Sequence, residues 1–466
     1  MRFLQKAPAL VIFISLISGL ILYDKFNLSF AGFLSVMIFV AVGINFFTYE
    51  RDQKNIFKIL FAVIFLIIII SIRIYFVISS PNPEAKIIKN EIGIFTLIRS
   101  WGRNYVGVLN SESGNFVIKM PFANYVEGMR IKFNGISRPF KNNNNKNSGF
   151  DEAKYWRAKN VEGWINIYNV EDLPEKFNLY RMRYLISRWL NINLPDLCAS
   201  YLKAALLGER DLNLNNNHRK WGTSHLLAVS GFHVGIIILC AGYFIKNNLI
   251  LSFILWAYIL LTGCAPSALR AGIMLQAGIL SRSIWRKPSG LNNVSLAGII
   301  LLIHSPFIYW DIGWRLSILA AVTLTSFGNN KFSWLLISPI ISITTFDQVA
   351  FTFGKIPAVG IILNLFAPLY FSFGFSIASI SALIKFLKVP FIADIFLISS
   401  EGIFKLYEII ANYFLNLIPF EIDYNNFLAM FGNGILIFLV CNKLGFSRWR
   451  AFFMSTFVCF LNYYII

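Results

Sequence analysis

The sequence predicts a polytopic α-helical membrane protein with about 11–13 spans and an inserted OB-like β-barrel domain outside the cytoplasm. Composition indicates this class: 56% of the residues are hydrophobic and 14% are charged, whereas soluble domains carry about a quarter charged residues. Apolar runs of about 20 residues, long enough to cross a bilayer, recur along the chain. The interval from Pro81 to Pro174 lacks such a run, and the barrel is expected there.

Three apolar runs within residues 1–80 predict the N-terminal transmembrane helices. They read ALVIFISLISGLILY, LSFAGFLSVMIFVAVGINFF and ILFAVIFLIIIISIRIYFVI. Arg2 and Lys6 precede the first run, as in a secretory signal peptide. Because no small-x-small cleavage site follows and two more runs come at once, this run is interpreted as a retained span.

Residues 81–174 predict a small extracytoplasmic barrel of five strands and one helix. The strand candidates are rich in β-branched and aromatic residues: IGIFTLIRS, NYVGVLN, NFVIKM, MRIKFNGISRP and EGWINIYNV. A helical pattern, FDEAKYWRAKN, precedes the last strand. An OB-fold binds oligonucleotides by stacking bases on aromatic side chains above a basic groove. The candidate DNA contacts are Arg99, Trp101, Arg103, Tyr105, Lys132 and Arg138.

The competing interpretation is that these aromatic side chains fill the barrel and that the basic ones form its solvated surface. The net charge of +19 does not decide between the two, because Lys and Arg concentrate in loops on one side of the predicted membrane. Arg51, Lys54 and Lys58 share one such loop, whereas the loops TGCAPS and PFEIDYNNF hold no base. This asymmetry predicts a cytoplasmic N-terminus and a barrel on the opposite side of the membrane.

Residues 175–221 predict amphipathic connecting helices, and residues 222–466 predict a transmembrane domain with about ten apolar runs. The segment Phe391–Pro419 is interrupted by Glu401, Lys405 and Glu408, so it is expected to lie partly in the membrane interface.

Four clusters in the second half place polar or charged groups inside apolar runs. They are LLGERDLNL leading into WGTSHLLAVSGFHVG, then TGCAPSALRAGIML, HSPFIYWDIGWRLSILAA and GKIPAVGIILNLFAPLY. Ionisable residues at membrane depth usually face a cavity or a partner and mark a transport path. The alternative for each cluster is a helix end at the interface, with Arg270 and Arg315 snorkelling towards water.

Cysteine and histidine patterns predict neither a metal nor a cofactor. The five cysteines are scattered with no C-x-x-C, and the four histidines form no His-x-His or H-E-x-x-H pattern. No P-loop pattern G-x-x-x-x-G-K-[ST] is present, so an ATP-driven motor is expected to be a separate protein.

The segments GTSHLLAVSGFHVGI, TGCAPSALRAGIM, GWRLSILAAV and LNLFAPL resemble the successive motifs of the ComEC family of DNA internalisation channels, and SGFDEAKYWRAKNVEGWI resembles the end of that family's OB-like domain. The resemblance implies an inner-membrane channel that passes one DNA strand to the cytoplasm during natural transformation. It implies a short form, because the His-x-His-x-Asp-His signature of the longer members' nuclease-like domain is not found here.

The resemblance also assigns the residues along the DNA path. They are His225, Ser230, Gly231, His233, Ser267, Arg270, Ser317, Asn364 and Pro368. Arg315 is a further candidate for this path. It differs from the family pattern and adds a charge, because the family usually has Phe-Gln-Leu-Ser where this chain reads Trp-Arg-Leu-Ser.

Each of these side chains has an expected role. His225 and Ser230 would donate hydrogen bonds to a polyanion, and His225 and His233 would share one broad face of a regular helix. Gly231 and Gly235 would allow close approach of another helix. Arg270 is expected to line the path beside a helix N-terminus, where phosphate is attracted.

Two other functions remain open at this point. Ser230 with His233 or His304 as base resembles the nucleophile segment of an intramembrane serine protease. The chain could instead be a carrier for a small anionic solute. The partners expected for the channel are single-stranded DNA, the lipid bilayer, a cytoplasmic motor, a periplasmic or surface DNA receptor and a second copy of the chain.

Overall fold

The computed structural model describes residues 8–47, 56–80, 83–101, 104–120, 125–140, 151–209, 211–283, 289–327 and 333–465. The chain divides into two compact units. One unit comprises Met1–Pro81, Ile273–Gly354 and Tyr424–Ile466, and the other comprises Asn82–Gly272 and Lys355–Asp423. The predicted boundaries at 80, 174 and 221 do not coincide with this division and stay a prediction.

Helices and strands follow one another in a simple order. The first helices are α1 (Pro8–Phe26), α2 (Phe30–Phe47) and α3 (Ile56–Ile78). The barrel contains β1 (Ile87–Trp101), β2 (Asn104–Ser111), β3 (Gly114–Met120), β4 (Arg130–Pro139), α4 (Glu152–Arg157) and β5 (Gly163–Asp172). The next helices are α5 (Leu179–Asn193), α6 (Asp196–Leu207), α7 (Leu212–Lys220), the 3₁₀ turn Ser224–Leu227, α8 (Gly231–Phe244), α9 (Asn248–Leu261) and α10 (Pro266–Ser283).

The remainder is helical except for one short strand pair. It consists of α11 (Gly290–His304), the 3₁₀ turn Pro306–Trp310, α12 (Ile312–Ser326), α13 (Ser333–Phe353), β6 (Lys355–Pro357), α14 (Val359–Phe386), α15 (Pro390–Leu417), β7 (Glu421–Asp423), α16 (Asn426–Lys443) and α17 (Arg448–Ile465). The segment predicted to lie partly in the interface is one continuous helix, α15, which packs along α14.

The five strands close into a barrel of order β1-β2-β3-β5-β4. β1 closes it, because its first half pairs with β4 and its second half with β2. Phe95, Leu109 and Phe133 belong to the hydrophobic core inside the barrel. Trp156 on α4 belongs to a second hydrophobic core, separate from the barrel interior. The prediction of five strands and one helix in this interval is confirmed.

Five helices in the described part of the chain are long and apolar enough to cross a membrane. They lie at Pro8–Phe26, Phe61–Ile78, Leu336–Phe353, Val359–Phe386 and Asn426–Lys443. Five shorter apolar helices accompany them: Phe30–Val42, Gly231–Phe244, Asn248–Leu261, Gly290–His304 and Ile312–Ser326. The total of 11–13 spans stays a prediction.

Small residues allow the apolar helices to pack closely. In the second unit, a Cβ on Gly374 of α14 would lie 2.6 Å from the Phe404 ring of α15. In the first unit, a Cβ on Gly19 of α1 would lie 2.8 Å from Met37 of α2. Between apolar helices in lipid, such close contact supplies much of the association energy, because burial from water contributes little there.

Candidate functional site

The segment HLLAVSGFHVG is not a single helix. His225 lies in the 3₁₀ turn Ser224–Leu227, and α8 begins at Gly231. Ala228 and Ser230 between them have extended backbone conformations. The predicted common helix face of His225 and His233 is therefore wrong, because the chain leaves the helical conformation between the two residues.

Ser230 and His233 together form the N-terminal cap of α8. The backbone N–H of Ser230 donates to His233 Nδ1 at 3.2 Å, and the Ser230 hydroxyl lies 3.3 Å from the same nitrogen. Since Nδ1 accepts, the neutral ring carries its proton on Nε2. His233 is only 4% exposed, and within the described structure Nε2 has no hydrogen-bond partner. A buried donor thus lies in the first turn of α8.

The start of α10 packs against the start of α8. The Ser267 hydroxyl donates to the carbonyl of Val229. A Cβ on Gly231 would lie 3.2 Å from both Ala271 Cβ and Arg270 Nη2, so the glycine allows the close approach that the sequence predicts there. The same expectation is wrong for Gly235, because no described atom lies within 4 Å of a Cβ built at that position.

Arg270 is buried, with 8% of its surface exposed. Its guanidinium lies beside the first residue of α8, and Arg270 itself belongs to the first turns of α10. Helix N-termini carry partial positive charge and unsatisfied N–H groups, both of which favour an anion. The buried position argues against snorkelling, and the guanidinium places a positive charge beside the N-terminus of α8.

His225, in the 3₁₀ turn Ser224–Leu227, has an exposed side chain. Its imidazole ring can donate a hydrogen bond.

A buried aromatic network holds the loop before this segment. His218 on α7 is fully buried, and its ring nitrogens lie 2.9 Å from Tyr201 Oη and 2.9 Å from Thr223 Oγ1. Burial lowers the pKa of His218 to about 3, so it is neutral. A Cβ on Gly222 would lie 3.0 Å from Gly360 Cα, so the loop packs directly on the backbone of α14.

Asn364 and Pro368 lie on α14, the helix that contacts this loop. Asn364 is half-buried and its Oδ1 has no hydrogen-bond partner among the described residues. Pro368 is exposed, and its missing N–H leaves the Asn364 carbonyl without the usual helical donor. The ring of Phe375, further along α14, lies 4.7 Å from that of His233, so α14 contacts both the loop and the first turn of α8.

Arg315 and Ser317 lie on α12, in the other compact unit. Arg315 Nε donates to the Tyr309 carbonyl at 2.6 Å, Nη1 lies 3.3 Å from Gln348 Oε1, and the guanidinium lies 4.5 Å from the centre of the Tyr309 ring. Within its own unit Arg315 therefore connects α12 to α13 and to the preceding 3₁₀ turn.

Asp347 on α13 is a polar residue that the sequence analysis missed. Its carboxylate accepts from Tyr424 Oη at 3.4 Å and from Asn433 Nδ2 at 3.3 Å. The signal was present in SITTFDQVAF, because an isolated acid in an apolar run is a candidate functional residue.

The described members of the predicted DNA contacts of the barrel have different environments. Tyr105 packs against the interior core, whereas Lys132 is half-buried 4.0 Å from Glu171 and Arg138 is exposed. Arg99 packs over the α4 aromatic rings and donates to Tyr155 Oη. Arg103 and the Trp101 side chain lie outside the described residues. The DNA-binding role of all six stays a prediction.

The described residues contain no group of three His, Cys, Asp or Glu side chains that could hold a metal ion.

Apolar helices of membrane-spanning length, polar clusters between them and an inserted barrel are the features of a helical membrane protein. The sequence profile of the competence protein family matches residues 206–447 of the chain, more than half of its length. The chain belongs to this family, the ComEC family of competence proteins.

Three relatives accompany the family match. ComE operon protein 3 of Bacillus subtilis (strain 168) is 29% identical over 265 residues, which cover 52% of this chain and 31% of that protein. Uncharacterized protein MG316 of Mycoplasma genitalium is 25% identical over 256 residues, covering 53% and 65%. An uncharacterized protein of Aquifex aeolicus is 25% identical over 284 residues, covering 58% and 68%. The match thus spans about a third of the Bacillus protein, and no solved structure matches the chain significantly.

Proposed function

We propose that the chain is an inner-membrane channel that passes single-stranded DNA into the cytoplasm. The observation that carries this proposal is the convergence of Arg270, the N-terminus of α8 and the buried His233 at the meeting point of two motifs. A phosphodiester is the anion that DNA would present to these donors. Membership of the competence family and the likeness to ComE operon protein 3 support DNA as the substrate.

The groups at the start of α8 suit reversible binding of DNA better than tight retention. A conducting path needs sites that attract the substrate and still release it. One buried arginine, with the hydrogen-bond donors of His225 and of His233 in the first turn of α8, meets this requirement. Several adjacent arginines would bind a polyanion too tightly to let it leave.

The barrel is proposed to be an OB-like domain outside the cytoplasm that contacts incoming DNA. Its closed order β1-β2-β3-β5-β4 supports the OB-like assignment. The charge asymmetry of the loops supports the outer location. Arg99, Lys132 and exposed Arg138 are the described basic candidates for phosphate contact. A DNA receptor, a separate motor and a second copy of the chain complete the proposed partners.

The protease alternative has one observation in its favour, the 3.3 Å contact of Ser230 with His233. The same contact belongs to the helix cap, which accounts for both residues. A catalytic histidine also needs a group that orients its second nitrogen, and His233 Nε2 has no such partner in the described structure. The channel therefore remains the better supported function.

The test is deletion of the gene in its host, with labelled DNA scored separately at the cell surface and in the cytoplasm. We expect surface DNA to be retained and cytoplasmic DNA to be lost, with recovery when the chain is supplied again. Unchanged cytoplasmic entry in the deletion strain would refute the proposal. Uptake of a small anionic solute into proteoliposomes, unaffected by added single-stranded DNA, would favour the carrier instead.

A further inference from the structure

A buried charge pair joins the barrel to the helices that follow it. Glu127, in the loop before β4, and Arg183, on α5, are 7% and 4% exposed, and Arg183 Nη2 lies 3.7 Å from Glu127 Oε2. The neighbouring backbone is also connected, because Asn178 Nδ2 donates to the Gly128 carbonyl at 2.9 Å. The loop of the barrel is therefore docked on the N-terminal half of α5.

Arg183 also contacts two segments of the helical part. Its Nη2 donates to the carbonyl of Leu207 at 2.7 Å, at the C-terminus of α6, where a cation is favoured. Its Nη1 lies against Gly263, in the loop between α9 and α10. Gly263 has a φ of +70°, and a Cβ there would overlap Nη1, so only glycine fits. Three residues later Pro266 begins α10, which carries Arg270.

We propose that Arg183 is a positioning residue that holds the start of α10, and hence Arg270, relative to the barrel, and that ionisation of Glu127 loosens this junction. The structural part of the proposal stands alone, whereas its consequence for DNA passage rests on the proposed channel function.

The direction of the pH effect follows from the surroundings of Glu127. Burial raises the pKa of Glu127 from its ordinary value of 4.5 to about 7, although Arg183 lowers it. Glu209, beyond the end of α6, raises it further. The other titratable groups near the pair are Tyr180 on α5 and Cys264 beside Gly263. A hydrogen bond from the backbone of Ile98 also lowers the pKa of Glu127, whereas Oε2 accepts no hydrogen bond from any described residue.

Docking therefore favours the protonated carboxyl group. An undocked, solvated Glu127 would titrate near 4.5, so the docked state binds more protons between 4.5 and about 7. In that window, the equilibrium constant for docking rises as the pH falls, by up to about tenfold per pH unit. Glu127→Gln copies the uncharged form and should keep the junction docked at every pH.

The experiment compares backbone amide hydrogen exchange of residues 125–129 and 262–265 in the full chain with that of the Glu127→Gln variant at matched pH. Above about 7 we expect faster exchange in the wild type, with the two proteins converging as the pH falls towards 4.5. Equal exchange of both proteins above 7 would overturn the proposal. Because this readout needs no DNA, it does not depend on the channel function.

Two matched variants separate positioning from general stability. Glu175→Gln removes the exposed partner of Arg181 on the same helix, and it should keep the wild-type pH profile. Arg183→Lys keeps the charge but loses the planar fork, so it should exchange faster at every pH without rescue by acid. Loss of the wild-type profile in Glu175→Gln, or a wild-type profile in Arg183→Lys, would also overturn the proposal.

DNA uptake per molecule gives the functional readout. Wild-type uptake should rise as the external pH falls below about 7, and Glu127→Gln should remove this dependence. If exchange responds as expected while uptake per molecule has the same pH profile in both proteins, the junction exists but does not position Arg270. No uptake by either protein would instead contradict the channel function.

Discussion

Arg270 is the residue on which the proposed path depends most, because its guanidinium is buried beside the N-terminus of α8. It is 8% exposed, and its nearest described neighbours at the start of α8 include Gly231. A planar fork at this place could hold one phosphate through two hydrogen bonds.

Arg270→Ala should lower DNA uptake per molecule on the order of tenfold, while Arg270→Lys should retain part of it because the charge remains without the fork. Uptake would be measured as cytoplasmic label and normalised to protein in the membrane. Arg219→Ala, which removes an exposed arginine on α7, serves as the control. Reduced abundance with normal uptake per molecule would make Arg270 a structural anchor instead.

His218 should contribute a pH-dependent stability of its own. Its pKa is about 3 in the folded chain against an ordinary 6.5, so between these values the unfolded state binds more protons. Stability should therefore fall as the pH drops from 6.5 towards 3, by up to about 1.4 kcal/mol per unit. Thermal unfolding of His218→Gln in detergent should lack this slope.

The exposed His304 provides the control, since His304→Gln should unfold with the wild-type pH dependence. Both proteins contain Glu127, whose contribution has the opposite sign in the overlapping pH range. The difference in stability between wild type and His218→Gln at each pH therefore cancels that contribution. A difference that does not vary with pH would contradict the assignment of His218 as a buried neutral histidine.

At the scale of elements, helix contact in both units depends on positions without a side chain. α13 approaches α16 so closely that a Cβ on Gly432 would overlap the carbonyl oxygen of Ile343. A backbone atom cannot rotate away as a flexible side chain can. This pair of helices also carries Asp347 and Asn433, which are hydrogen-bonded across the same interface.

Gly432→Ala should destabilise the chain by about 1–3 kcal/mol, because the added methyl group overpacks this contact. Gly402→Ala is the matched control, because Gly402 lies within α15 with no described atom within 4 Å of the new Cβ. This variant should be stabilised by about 0.5–1 kcal/mol, because alanine has the higher helix propensity. The measurement is the midpoint of thermal unfolding in detergent. Equal midpoints for the two variants would show that α13 and α16 are not in tight contact.

At the scale of the whole molecule, the proposed orientation places the barrel outside the cytoplasm. A reporter that is active only outside should therefore be active when fused after Asn145 and inactive when fused after Lys54. Both positions lie outside the described residues. The opposite pattern would place the barrel in the cytoplasm, where it could not receive incoming DNA.

Much of the fold followed from local pattern. Alternation with β-branched residues predicted all five strands of the barrel, and FDEAKYWRAKN predicted α4. The bend between His225 and Gly231 was missed, because LLAVSGF is as apolar as the helix that follows and period alone cannot show where a helix begins. Asp347 was missed although an isolated acid in an apolar run is a readable signal.

By itself the sequence determined the apolar helices, the barrel strands and the competence motifs, because hydrophobicity, β propensity and motif spacing are properties of neighbouring residues. Only the tertiary structure decided that Arg270 lies beside Gly231, that His233 caps α8 and that Arg183 joins the barrel to the loop before α10. These contacts depend on which helices approach closely enough to bury a polar group, and no local pattern in the sequence encodes that choice.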